Sequence, residues 1–138
     1  LDFIIVDMPP GTGDTQLTFA QEIKLDGAII VSTPQEIALL DVKRGIKMFD
    51  KLGVKIIGLI DNMSYFVGDD GKKYTIFGEG GVEKTAAEFS KEFLGEIPLD
   101  PEVGKTGDQG KPIVESNSEN KVSKIYLDLA DKIKSTYL

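Results

Sequence analysis

Cysteine and histidine are both absent from the 138 residues. Without cysteine there is no disulfide framework, no thiolate zinc site and no cysteine-ligated iron–sulfur cluster built from this stretch alone. Without histidine the commonest general base and the imidazole metal ligand are missing as well. Chemistry therefore falls to carboxylates, lysines, hydroxyls, backbone amides or a hard cation bound through oxygen. A positive surplus is lacking too. Sixteen Lys+Arg stand against 23 Asp+Glu, a net charge of −7 that would be repelled by a phosphate backbone, so nucleic acid is not an expected partner. No apolar run approaches the roughly 20 residues that span a bilayer, and no basic, apolar, small-residue signal opens the chain. A membrane is thus not an expected partner either, and the sequence reads as cytoplasmic. What is present is 41% hydrophobic and 28% charged residues, enough to bury the core of one domain. The apolar run that begins at Phe3 suggests a piece of a longer protein, opening in or just before a strand.

Phe3-Ile4-Ile5-Val6, ending in Asp7 and the Pro9-Pro10-Gly11 break, has the pattern of a strand buried on both faces. Asp14 or Thr15 is placed to cap a helix carrying Leu17, Ala20 and Ile23. A second strand is expected over Ala28–Val31 and a third over Val54–Ile60. Between them Leu39, Val42, Ile46 and Phe49 recur at helical spacing from Glu36 to Leu52, and Gly53 stops the helix. Two β-prone runs around Gly68-Asp69-Asp70-Gly71 predict a hairpin over 65–77. Val82, Ala86, Phe89 and Phe93 suggest a further helix, Leu94–Ile97 a short strand ended by Pro98, and Val122, Ile125, Leu129 and Ile133 a last helix. The Gly- and Asp-rich stretch from Gly104 to Ser118 reads as a hinge. Strands alternating with helices imply an α/β fold with a mostly parallel sheet and flanking helices.

Ligands of open parallel sheets sit outside the carboxyl ends of the strands. That directs attention to Asp7–Asp14, to Ser32-Thr33-Pro34-Gln35, to Asp61-Asn62-Met63-Ser64 and to Pro98-Leu99-Asp100. Four apolar residues ending in Asp7 match the way nucleoside triphosphatases set a carboxylate at a strand tip to hold a magnesium-bound water. Gly11, after two rigid prolines, lets a backbone N–H approach a terminal phosphate without a Cβ in the way. The same stretch also fits an ordinary turn after a strand. Asn62 carries an amide whose donor and acceptor match a purine edge.

Gly78-Glu79-Gly80-Gly81-Val82-Glu83-Lys84-Thr85 nearly fits a phosphate-binding P-loop. Glu83, however, stands where a glycine is needed and brings negative charge to where phosphates would lie. The segment reads better as a turn leading into a helix. Asp69 and Asp70 lack the spacing of an EF-hand and read as a solvated hairpin turn.

Taken together, Asp7-Met8-Pro9-Pro10-Gly11-Thr12-Gly13-Asp14, Asn62-Met63-Ser64-Tyr65-Phe66, Ile76-Phe77-Gly78-Glu79-Gly80-Gly81 and Leu94-Gly95-Glu96-Ile97-Pro98-Leu99-Asp100 resemble the Mrp/ApbC family. So do Ser32-Thr33-Pro34-Gln35 and Gly110-Lys111-Pro112-Ile113. These are iron–sulfur cluster carrier ATPases related to the MinD and ParA group of deviant P-loop proteins. The resemblance implies a P-loop NTPase fold with the hairpin as an insertion, and residues 1–138 as the C-terminal part of one ATPase domain whose nucleotide loop precedes Leu1. It implies a cytoplasmic homodimer that hydrolyses ATP with Mg2+ and passes a [4Fe–4S] cluster to apo iron–sulfur proteins. By that likeness Asp7 is the metal-associated carboxylate and Gly11 the glycine near the terminal phosphate. Pro10 belongs to the same nucleotide-facing loop, Asn62 reads the adenine, and Pro98, Leu99 and Asp100 pack on the base. One departure is chemical. Many members carry a Cys-x-x-Cys pair in the hairpin where this chain has Val67-Gly68-Asp69-Asp70-Gly71.

Two other readings remain open on the sequence: a MinD- or ParA-like partitioning ATPase, and an interaction module that kept the fold without catalysis.

Overall fold

The computed structural model describes residues 1–9 and 13–137. Helix α1 (Asp14–Glu22) is followed by strand β1 (Ala28–Ser32), helix α2 (Glu36–Leu52) and strand β2 (Ile56–Asn62). A hairpin of β3 (Phe66–Val67) and β4 (Lys73–Tyr74) leads to helix α3 (Gly81–Glu88) and strand β5 (Phe93–Ile97). Three helices close the chain: α4 (Pro101–Asp108), α5 (Ile113–Ser116) and α6 (Lys121–Tyr137). The central sheet is parallel, with β2 between β1 and β5.

Helices cover both faces of the sheet, and β2 feeds both cores, its side-chain alternation shifted by the irregular pairing between Ile56 and Gly58. Ile56 and Leu59 pack with Val42 and Ile46 of α2 and with Val82 and Ala86 of α3. Ile60 joins Ile97, Ile113, Val122 and Leu129 in a second core under α5 and α6. Helix α2 runs from Glu36 to Leu52 as its periodicity predicts. Its end is fixed by Gly53 at φ 70, with the Val54 N–H reaching the Phe49 carbonyl at 3.0 Å. That is the double-bonded C-terminal turn for which glycine is the least strained residue.

Several expectations need correction. Phe3–Val6 forms no strand, and Ile4 and Ile5 are 79% and 83% exposed. An apolar run becomes a buried strand only with a neighbour for its backbone and a layer on each face. Among the described residues no strand pairs with it. The first helix is capped by Gly13, with Asp14 already its first residue, so neither Asp14 nor Thr15 caps it. The third strand lies two residues later than expected, and Phe93 belongs to β5 rather than to the preceding helix. The hairpin ladder is shorter than 65–77, with only Phe66 opposite Tyr74 and Val67 opposite Lys73. Its turn is tied by Asp70, which accepts from the Tyr74 hydroxyl at 2.6 Å and the Lys72 amide at 3.0 Å. Those bonds hold the Asp70 carboxyl below the usual carboxylate range and push the Tyr74 phenol up.

The stretch from Gly104 to Ser118 is not a hinge, because it holds most of α4 and all of α5. Asp100 caps α4 by accepting from the Glu102 amide at 2.8 Å, and Pro101 occupies the helix's first turn. These features overcome the poor helix propensity of Gly104 and Gly107.

Candidate functional site

The carboxyl ends of β2 and β5 are joined by short backbone ties. Asn62 lies opposite Ile97 in the parallel register. Beyond it, the Ser64 amide donates to the Ile97 carbonyl at 3.1 Å, and the Ser64 hydroxyl donates to the same oxygen at 3.2 Å. The Leu99 amide donates to the Tyr65 carbonyl at 2.7 Å. Asn62 and the Pro98-Leu99-Asp100 turn are thereby brought together, as a shared ligand site requires. Between them the chain reverses at Met63, whose φ of 54 is an uncommon conformation for a residue with a side chain.

The Asn62 side chain is half-buried and makes no hydrogen bond among the described residues, so its amide is open to a ligand. Asp100 is differently placed. Its carboxylate caps α4 and also accepts from Asn120 Nδ2 at 3.1 Å, while that nitrogen donates to Glu102 at 2.8 Å. A side chain so engaged shapes the turn. Only its backbone remains for direct contact with a ligand.

Asp7 is exposed in the irregular segment ahead of α1, and no hydrogen bond or ion pair among the described residues joins it to the other strand tips. Pro10 and Gly11 lie outside the described residues. Nor do three acidic groups converge as a metal sphere among the described residues. What Asp7 offers a hard cation such as Mg2+ is one exposed carboxylate, an oxygen donor of the right chemical kind.

The P-loop-like stretch is a turn into a helix, as its sequence suggests. Gly80 takes φ 67 and α3 begins at Gly81, where a Cβ would meet the Pro34 carbonyl at 2.7 Å. The Thr85 hydroxyl is tied to the Gly81 carbonyl at 2.9 Å, and Glu83 and Lys84 are exposed.

Asp61 stands at the tip of β2, where the sequence alone suggests no role for it. Asp61 is 1% exposed, and its Oδ1 is buried without a hydrogen-bond partner. Burial, and then the charge of Glu96 opposite it on β5, push its carboxyl up to about 6. The signal for it was a carboxylate directly following the apolar run of β2.

A three-stranded parallel sheet sandwiched by helices, with its loops gathered at the carboxyl ends of β2 and β5, defines an α/β fold of the P-loop NTPase type. Residues 1–134 match the sequence model of ParA, described as NUBPL iron-transfer P-loop NTPase, and the chain belongs to that family. A curated relative from Aquifex aeolicus, named iron-sulfur cluster carrier protein, is 47% identical over 131 residues. The match takes in 94% of this chain and 36% of the relative. Among solved structures, the nucleotide-binding protein of Archaeoglobus fulgidus in complex with ADP aligns with a TM-score of 0.74 and 37% identity, over 88% of this chain and 49% of that one. The cell division ATPase MinD of Pyrococcus furiosus aligns with a TM-score of 0.62 at 23% identity, over 80% of this chain and 43% of its own, a likeness of fold alone. The chain thus spans little more than a third of the length of the curated relative it matches. Among the described residues no helix is long and apolar enough to cross a membrane.

Proposed function

We propose that this chain supplies the adenine side and the Asp7 switch segment of an ATP-binding and ATP-hydrolysing iron–sulfur cluster carrier. The protein would act as a cytoplasmic homodimer and deliver its cargo to apo iron–sulfur proteins. The observation that carries the reading is the unengaged Asn62 amide beside the Pro98-Leu99-Asp100 turn, held there by the Leu99–Tyr65 and Ser64–Ile97 ties. A purine edge needs a donor and an acceptor together, and an asparagine amide provides both. The backbone of the adjoining turn can pack on the ring.

Asp7 would hold Mg2+ through its carboxylate, with Pro10 and Gly11 on the phosphate side. The cation would supply charge neutralisation on the terminal phosphate. The cluster is cargo, and thiolates from this stretch do not hold it, since none exist. Its ligands would come from elsewhere in the protein, from a partner or from a small thiol.

Amide spectra of the 138-residue chain titrated with ATP and with GTP test the adenine side. Shifts at the Asn62 side-chain amide and at Leu99 and Asp100, larger for ATP, are expected. Equal responses to both nucleotides, or none at these residues, remove Asn62 from the site. The chain by itself should release no phosphate from ATP, because its P-loop-like segment carries Glu83 in place of the glycine that a phosphate cradle needs. Turnover by it would overturn the assignment of the phosphate-binding loop to another segment.

A further inference from the structure

A cavity of about 220 Å³ opens beside the carboxyl ends of β2 and β5, under the hairpin. Asp61, Ser64 and Tyr65 are its buried floor, and Lys73, Glu79 and Glu96 stand on its exposed rim. Successive side chains of a strand point to opposite faces. Asp61 therefore faces away from Asn62, and this cavity is separate from the proposed adenine side.

We propose that this cavity binds a primary ammonium group, with Asp61 as its buried counter-charge and the Tyr65 ring and Glu96 as its flanking contacts. The need for a ligand comes from Asp61. A carboxylate removed from water is costly unless it is paired or hydrogen-bonded, yet Oδ1 has neither kind of partner. The one lysine lining the cavity, Lys73, forms no ion pair with Asp61 among the described residues. Lys73 lies over the Tyr65 ring at 4.1 Å from its centre and Lys121 at 5.2 Å, and neither forms an ion pair among the described residues.

Those two lysines also show what the surroundings of Tyr65 attract. An aromatic face together with carboxylates is the pairing that recognises alkylammonium groups. An ammonium carries three donors, which Asp61, Glu96 and the hydroxyls of Ser64 or Thr75 can accept. A bare divalent cation suits the site less well, because no three acidic groups among the described residues converge to hold one. Burial and the Glu96 charge push the Asp61 carboxyl up to about 6, which leaves it mostly ionised at neutral pH. Its charge is available, and an arriving cation would draw its pKa down.

The ammonium can belong to a free amine or to a lysine side chain of another protein. The test is a titration of the 138-residue chain at constant ionic strength, followed by amide shifts, with 1,4-diaminobutane in one arm and an acetyl- and amide-capped lysine in the other. Saturable shifts at Asp61, Ser64, Tyr65 and Thr75 are expected. Tighter binding of the diamine names a free amine as the source, and equal or tighter binding of capped lysine names a side chain.

Asp61→Asn should weaken binding about tenfold, the scale of one charge-assisted hydrogen bond. Glu96→Gln should weaken it less, and as an exposed substitution it keeps the test decisive if Asp61→Asn fails to fold. Lys73→Gln should tighten binding, because it removes a like charge and frees the Tyr65 face. Absence of saturable shifts in both arms, affinity indifferent to Glu96 and Asp61, or displacement of the amine by stoichiometric Mg2+ would each overturn the proposal. None of these results bears on ATP-selective shifts at Asn62, so the two sites stand or fall separately.

Discussion

The Leu99 amide and the Tyr65 carbonyl meet at 2.7 Å, a bond between two loops that leave neighbouring strands of a parallel sheet. Through it the loop that carries Asn62 and the backbone of Pro98–Asp100 are tied together. A ligand that touched both loops would meet contacts already held in register.

If those two loops read adenine, Asn62→Ala should abolish the difference between ATP and GTP in binding to the chain. The loss for ATP should be about 1–2 kcal/mol, the scale of a buried hydrogen bond whose partner is removed. Calorimetric titrations with both nucleotides check it, and unchanged selectivity would assign recognition to backbone groups instead.

Asp61→Asn should raise stability at pH 7. Burial and Glu96 lift the folded carboxyl from 3.8 to about 6. Between those values the folded chain holds more protons than the unfolded one, so this group's contribution declines as pH rises and is fully unfavourable above about 6. The variant's advantage should be small near pH 4 and grow to about 1–3 kcal/mol by pH 7. Urea denaturation of both proteins across that range reads the difference directly. An advantage that does not change with pH would mean that Asp61 titrates normally.

Asp100→Ala should cost about 1–2 kcal/mol through loss of the α4 cap. Asp100→Ser should recover most of it, since a hydroxyl can accept from the Glu102 amide in the same geometry. Midpoints of chemical unfolding would show this. Equal losses in both variants would place the stabilisation in the Asn120 contact instead.

Ser90→Gly should stabilise the chain by about 1 kcal/mol. Ser90 is exposed at φ 53 just past α3, where the Lys91 amide reaches the Ala86 carbonyl at 2.8 Å and the Ser90 amide reaches Ala87 at 3.1 Å. This is the same closing turn that Gly53 makes after α2, with serine in the strained position. A thermal melt that shows no gain would mean the strain is relieved elsewhere.

Anaerobic incubation of the chain with iron and sulfide should leave no stable thiolate-to-iron charge-transfer band after gel filtration, because there is no thiolate to ligate iron. A stoichiometric cluster surviving that step would show that oxygen ligands of this stretch suffice.

The sequence by itself determined the parts whose signals are local. Helix α2 was legible from Glu36 to Leu52 because an apolar stripe and a terminal glycine act within a few residues of one another. Asn62 and the Pro98–Asp100 turn were legible as strand tips, since parallel strands deliver their ends to one side of the sheet. Tertiary structure decided what depends on distant neighbours. Phe3–Val6 has every local mark of a strand and forms none, because pairing needs a second backbone. The glycines of α4 argue against a helix until the Asp100 cap and packing of Val103 and Thr106 outweigh them. Asp61 is one acidic residue among many until β5 sets Glu96 opposite it and the fold excludes water from its carboxylate. Charge cost depends on surroundings, and the charge opposite Asp61 comes from a residue over thirty positions away.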